Sequence, residues 1–330
     1  MNNLVGSFNS FMDYYQELHP EIKEYFQILS PTFPAFLIPF IESKTLKRIS
    51  GVSYFCAMDH ASKDIYNFKY YYSTLDHSIA TALITWKFTN DVNQTLAALF
   101  HDATKPATSH VVDYLNKDFV KQESTEKDIY RTLARDKDLI TLVRSHGLNI
   151  SDIFEYKKYP LVDNERPRLC ADRLEGIFSS SLIWTKETIL HEIKTIYNNI
   201  SLKPNEDGIL EFSFNSPVDG NRMVELNDSI NKATQSDEDY YFFMLLASMI
   251  ERLIFREIIK KEELYEFTDH QVMNRIEVLS KTDLLLDNML REFKTLKKVE
   301  PQVDKEIIKD RSNFNPLIGN LRYSKRYSMK

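Results

Sequence analysis

Seven glycines in 330 residues are the feature that most constrains what this chain can fold into. Ordinary globular proteins carry about 7% glycine, and parallel α/β folds use it at tight turns and phosphate loops. A chain this poor in glycine favours helices joined by short connections. No G-x-G-x-x-G and no G-x-x-x-x-G-K run occurs, which excludes the two commonest nucleotide-binding loops. Hydrophobic residues at 43% and charged residues at 27% supply a sizeable core and a solvated surface. The length suits one large or two modest domains.

A net charge of −6 gives no global attraction to nucleic acid. The exception is the last stretch, where Lys309, Arg311, Arg322, Lys325, Arg326 and Lys330 face only Asp310. Nucleic acid or another anionic partner would bind, if at all, through this basic tail. Cys56 and Cys170 are too few and too scattered for a disulfide framework. The polar first sixteen residues lack the apolar core of a signal peptide. The most apolar run, residues 240–250, is too short to span a bilayer and is expected to be a buried helix. A cytoplasmic protein with no membrane association is the expectation.

Helices are expected at 9–29 and 34–48, around Pro31 and Pro34. Segment 74–90 places Leu75, Ile79, Leu83 and Trp86 at helical spacing. Asn90-Asp91 can cap the next helix, which runs through TLAALFHD, and Pro106 lies just beyond it. Further helices are expected at 124–134, 137–146, 166–182, 185–199, 237–260, 269–280 and 282–298. Between them Leu210, Phe212 and Phe214 alternate with Glu211 and Ser213, a strand pattern. RMVEL at 222–226 could pair with it to form a hairpin, and the last thirty residues read as an extended arm. The expected class is all-α: a helical bundle with a small β-hairpin insertion and a C-terminal helical extension. Its divisions would be a helical catalytic domain at 1–200, the hairpin and C-terminal helices at 201–298, and a polar basic tail at 299–330.

The chemical signal is Phe100-His101-Asp102. Metal-assisted hydrolysis needs imidazole and carboxylate ligands that converge while leaving a coordination position for water. Neighbours on a regular helix point about 100° apart, so His101 and Asp102 can share one ion most easily near a helix end. Ala103-Thr104-Lys105-Pro106 supplies that end. His77 lies on the preceding amphipathic helix. Asp172 lies on a later one among Leu169, Cys170, Leu174 and Ile177, where a carboxylate needs a cation, a metal or several hydrogen bonds. Three helices each bringing an inward ligand make a workable metal site in a bundle core.

The order His, His-Asp, Asp resembles the HD superfamily of metal-dependent phosphohydrolases. Local stretches resemble its deoxynucleotide triphosphohydrolase branch. They are LKRISG at 46–51, Asp76-His77-Ser78, HDATKPATSHVVD at 101–113, Ala171-Asp172-Arg173-Leu174-Glu175, and LYEFTDHQVMNRI at 264–276. The resemblance spans roughly residues 40–290. It implies the HD helical bundle and one divalent metal ion (Mn, Fe, Mg, Ni or Zn) held by His77, His101, Asp102 and Asp172. It also implies phosphate contacts from Lys105, His110 and Arg173, and a nucleotide or other phosphorylated small molecule as substrate. Assembly into a homo-oligomer is a further implication.

Three positions depart from the family pattern. Gln122-Glu123 stands where a His-Glu pair is usual, so Asp102 at the ion, with Glu123 or His146 moving protons, are the catalytic candidates. Thr74 replaces an arginine three residues before the first histidine, and Gly176 replaces a tyrosine four residues after the last aspartate. Two alternatives stay open at this level. One is a non-catalytic nucleotide-sensing HD protein. The other is a di-iron HD-type oxygenase, which would need further histidines between the His-Asp pair and the last aspartate. His19, His60, His191 and His270 read as structural, and Tyr70-Tyr71-Tyr72 either lines a pocket above His77 or belongs to the core.

Overall fold

A computed structural model describes residues 8–118, 129–301 and 312–327. The N-terminal layer comprises α1 (Phe11–Glu17), α2 (Pro20–Leu29), α3 (Ile38–Ile41) and α4 (Lys44–Ile49). The expected single helix over 9–29 is two, because Pro20 occupies the first turn of α2, where its missing N–H costs nothing. The central bundle is α5 (Thr74–Thr89), α6 (Val92–Phe100), α7 (Val111–Leu115), α8 (Ile129–Leu133), α9 (Lys137–Ser145), α10 (Ile150–Phe154) and α11 (Ala171–Ile183). It is followed by α12 (Leu190–Asn198), β1 (Ile200–Pro204) and β2 (Leu210–Phe214). The C-terminal part holds α13 (Pro217–Thr234), α14 (Asp237–Phe255), α15 (Asp269–Ser280) and α16 (Leu284–Thr295), then β3 (Leu317–Ile318), β4 (Leu321–Arg322) and α17 (Tyr323–Tyr327). The class is all-α with a small β insertion. No helix among the described residues is long and apolar enough to cross a membrane.

The helix starts follow local chemistry. Ser73 accepts from the Asp76 N–H and Asp76 accepts from the Ser73 N–H, a capping box that opens α5. Asp91 accepts from the Gln94 N–H and opens α6. Along α6, Leu96, Leu99 and Phe100 are buried, each contributing about 1.5–3 kcal/mol by area burial. That packing anchors the helix whose C-terminus carries His101.

Two features differ from expectation. The partner of β2 is β1, upstream and antiparallel, with Leu202 opposite Phe212; RMVEL lies within α13 instead. Ser216 caps that helix, Pro217 sits in its first turn, and Met223, Leu226 and Ile230 are buried at helical spacing. Those signals outweigh a five-residue strand pattern. The tail is not a free arm, since β3 pairs in parallel with β2, placing Ser213 opposite Leu317 and Phe214 opposite Ile318. Gly220 makes this possible, because a Cβ there would lie 2.5 Å from Ile318 Cδ1. Of the basic tail residues, Arg322 is buried against Glu211, at 2.6 and 2.8 Å, and against Glu206. Lys309, Arg311 and Lys330 lie outside the described residues.

Buried apolar residues form two clusters. The first gathers the N-terminal helices, α5, α6, α11 and α12, and it also takes in Phe212, Phe214, Met223 and Leu226. The hairpin and α13 therefore share a core with the bundle. The second gathers α14 to α16 with residues near 56–66 and 107–114. Phe68 and Trp184 pack against both clusters.

Truncating Arg322 strands the buried Glu211 carboxylate, so Arg322→Ala should cost about 3–5 kcal/mol in denaturant unfolding. A loss below about 0.5 kcal/mol, the usual size for a solvated surface residue, would show the tail contact to be dispensable.

Candidate metal and phosphate site

Three chain segments meet at one point. His77 lies in the first turn of α5, His101 caps the C-terminus of α6, and Asp172 lies in the first turn of α11. The His77 Nε2 is 3.1 Å from His101 Nε2 and 3.0 Å from Asp172 Oδ1, and His101 Nε2 is 3.5 Å from the same oxygen. Asp102 Oδ2, on the turn after α6, is 3.7 Å from His77 Nε2 and 3.8 Å from His101 Nε2. The helix ends at His101, and that break lets the adjacent pair address one point.

Both imidazoles have their far nitrogen occupied. His101 Nδ1 donates to the Ala98 carbonyl at 2.6 Å. His77 Nδ1 bonds Glu175 Oε2, a carboxylate with no exposed surface on α11 one turn beyond Asp172. Tyr72 donates to Glu175 Oε1 at 2.7 Å and Tyr25 to the same oxygen at 3.4 Å, while Ser179 donates to Oε2 at 3.3 Å. With the protons on Nδ1, both Nε2 lone pairs face each other and two carboxylates. Four acceptors at such spacing repel unless positive charge lies among them.

The same bias is visible in protonation. Burial opposes charge on His77, yet Glu175 and Asp172 outweigh it and raise the imidazole to about 10. His101 is also raised, Asp102 and Asp172 overcoming burial. Burial disfavours the charge on Asp172, but bonds from His101 and His77 hold it well below the usual carboxylate range. Asp102 is likewise held low, with Lys105 the largest counterweight to burial. The cluster thus favours a cation. Metal–ligand bonds of about 2.1 Å would set neighbouring donors about 3.0–3.4 Å apart. The three contacts among His77, His101 and Asp172 match that spacing closely, and Asp102 stands slightly farther out. The residues fit a divalent ion.

The ligand segments are held from outside. Arg48 donates to the Ala103 and Lys105 carbonyls at 3.2 and 2.6 Å, and to the Phe267 carbonyl at 3.1 Å. Asp269, buried at the start of α15, accepts from the Thr108 and Ser53 N–H groups, both at 2.7 Å. Glu211 on β2 accepts from the Leu169 N–H at 3.0 Å and so fixes the approach to α11.

The cluster opens on a cavity of about 770 Å3, within the roughly 300–1,000 Å3 of small-molecule sites. Lys105, His110 and Arg173 all line it. Lys105 Nζ bonds Asp102 at 2.7 Å, and His110 Nδ1 is 2.9 Å from the buried Asp113 carboxylate. Arg173 spans the cavity wall and loop 164–168, donating to Asn164 Oδ1 at 2.9 Å and to the Asn164 carbonyl at 2.8 Å. His146 does not line the cavity. It caps α9, contacts the Leu142 carbonyl at 2.9 Å and packs against Phe40. Gln122 and Glu123 lie outside the described residues. Tyr70 stacks on His19, and Tyr72 acts on the site through Glu175 rather than from the cavity wall.

Two contributors went unread in the sequence. Glu175 is three residues after Asp172 on a helix, a spacing that places both on one face; that was the available signal. Tyr54 stacks on His77 at 4.5 Å and carried no such signal. Gly176 makes room for it: a Cβ at 176 would lie 2.7 Å from the Tyr54 hydroxyl. The position where the family pattern has a tyrosine is thus approached by a tyrosine from another segment.

Comparison with known proteins agrees with this geometry. Residues 74–173, from the start of α5 to just past Asp172, match the family model described as HD domain. The chain carries an HD domain. It is 22% identical over 260 residues to the uncharacterized protein YdhJ of Bacillus subtilis, covering 74% of this chain and 72% of that one. It is 26% identical over 141 residues to the metal-dependent phosphohydrolase cns2 of Cordyceps militaris, covering 42% of this chain and 38% of that protein. The HD domain, its metal-suited cluster and the relative named as a metal-dependent phosphohydrolase support a metal-dependent hydrolase.

Glu175→Gln keeps the shape but weakens the charged hold on His77. Divalent-metal affinity, measured by calorimetry on the full chain, should fall about 10–100-fold with the fold intact. Unchanged affinity would remove Glu175 from the site.

Proposed function

We propose that this HD protein is a metal-dependent phosphohydrolase that cleaves a phosphate ester or anhydride of a nucleotide. The observation that carries the reading is the juxtaposition of two imidazoles and two carboxylates with Lys105, His110 and Arg173 on one cavity wall. The acidic cluster suits a cation and the basic rim suits an anion. His77, His101, Asp102 and Asp172 would hold the ion. A divalent cation there supplies Lewis acidity and lowers the pKa of water.

The chain's own groups account for the remainder. Lys105, tethered to Asp102, presents its ammonium beside the ligands, where a phosphate oxygen would replace solvent. His110, its ring oriented by Asp113, is placed to bond a phosphate oxygen or protonate a departing one. Arg173 lends charge while bracing loop 164–168. The nearness to the deoxynucleotide triphosphohydrolase branch, noted in the sequence, and the relative named as a phosphohydrolase both favour phosphate chemistry. His146, packed away from the cavity, is not given a proton-transfer role in this reading, and Glu123 retains one as a sequence-based expectation.

Manganese-loaded protein, offered a panel of nucleoside mono-, di- and triphosphates, should release phosphate, pyrophosphate or triphosphate. Chelation should abolish release and added divalent ion restore it. Asp102→Ala should lower turnover more than the roughly 10–100-fold typical of losing an outer hydrogen-bond partner. Turnover equal to the wild type in Asp102→Ala would end the proposal.

A further inference from the structure

Lys105 and the metal cluster draw on one oxygen. Lys105 Nζ donates to Asp102 Oδ2 at 2.7 Å, and that same oxygen faces the imidazoles, 3.7 Å from His77 Nε2 and 3.8 Å from His101 Nε2. Asp172 Oδ1 lies closer to the same two nitrogens, at 3.0 and 3.5 Å. The carboxylate that stands farther out is thus the one with an ammonium on its oxygen. A carboxylate oxygen accepts from more than one donor, but an ammonium and a divalent ion sharing it repel each other. At a site largely screened from solvent that repulsion is weakened little by salt. Two carboxylates oppose the charge of a divalent ion, and Lys105 cancels part of what Asp102 offers.

The backbone around Lys105 is fixed on both sides. Its N–H donates to the Asp102 carbonyl at 3.0 Å, its own carbonyl accepts from Arg48 at 2.6 Å, and Pro106 follows. The side chain has more freedom, because a lysine ammonium rides on a flexible four-carbon stem. Nζ lies 5.8 Å from the centre of the Tyr54 ring, and Lys105 lines the cavity together with His110 and Arg173. By rotating about its stem, the ammonium can leave Asp102 for an anion in the cavity while the turn that carries the ligands stays where it is. A phosphate oxygen is such an anion and makes a strong charge-assisted bond. Once it draws Lys105 away, Asp102 gives its full charge to the ion. Each event favours the other, so by linkage phosphate and metal must raise each other's affinity by the same factor.

Resting on the phosphohydrolase reading above, we propose that Lys105 couples metal binding to phosphate binding: its ammonium weakens the ion's hold through Asp102 Oδ2 and releases that oxygen when phosphate enters. The ion is then gripped most tightly when there is a phosphate to act on.

Calorimetry tests this without any turnover, by titrating manganese into the full-length protein with and without inorganic phosphate. In the parent protein phosphate should tighten manganese binding by about 5–150-fold, the usual size of a coupling between sites. Lys105→Met keeps the stem and removes the charge. It should tighten manganese alone by at least about fivefold, and the further gain from phosphate should shrink correspondingly. Lys105→Arg, which keeps the charge, should stay close to the parent value without phosphate. A lysine that merely braces the turn predicts the opposite sign, since its loss would loosen Asp102 and weaken manganese. The coupling is overturned if Lys105→Met binds manganese no more tightly than the parent, or if phosphate leaves the parent's affinity unchanged. Should Lys105→Met fail to fold, Lys105→Gln is the second neutral variant, and the phosphate effect on the parent needs no variant at all. Manganese binding that shows neither effect removes the coupling and spares the metal-dependent hydrolase. A parent protein that binds no manganese in either condition removes the metal site itself.

Discussion

The bond between Glu175 and His77 is the interaction on which the rest of this protein depends. It crosses from α11 to α5 at a buried point and takes up the His77 Nδ1 nitrogen. Once that nitrogen is committed, Nε2 must face His101, Asp102 and Asp172. A buried carboxylate is tolerable only if its oxygens are satisfied, and Tyr72, Tyr25 and Ser179 complete the set. The cluster is therefore built to hold lone pairs against one another. Such an arrangement is costly as it stands and is relieved by a cation.

Distant parts of the chain keep the ligand segments in place. Arg48, from the N-terminal layer, closes on the turn that carries Asp102. Asp269 joins the start of α15 to Thr108 and Ser53. Glu211 reaches from β2 to the residue preceding Cys170, the cap of α11, and is itself held by Arg322 near the C-terminus. The tail thus supports the bundle rather than extending from it. The cavity is lined by the His77, His101, Asp102 and Asp172 cluster, by Lys105, His110 and Arg173, and by the aromatic residues Tyr54, Phe55, Tyr66, Phe68 and Trp184.

The convergence of His77, His101, Asp102 and Asp172 was legible because the expected chemistry needs particular side chains at particular helix ends, and a His-Asp pair before a proline-terminated turn is such a place. Helical class was legible from scarce glycine and apolar spacing. The hairpin was half legible: the alternation over Leu210, Phe212 and Phe214 marked a strand, but its partner is chosen by packing, and Ser216-Pro217 had already begun a helix. Leu317, Ile318 and Arg322 gave no periodic signal, since two-residue strands are too short to carry one. Tyr54, Phe68 and Trp184 were invisible for a different reason: they come together from separate segments, and no local spacing encodes that meeting.

The central claim is that two imidazoles and two carboxylates bind one divalent ion. X-ray absorption of the full chain loaded with a single equivalent of manganese tests it most directly. The account predicts tight retention and a first shell of nitrogen and oxygen at about 2.1 Å. It also predicts scattering from two imidazole rings that falls to one in His77→Ala. An ion that washes away, or a shell without imidazole, would contradict it.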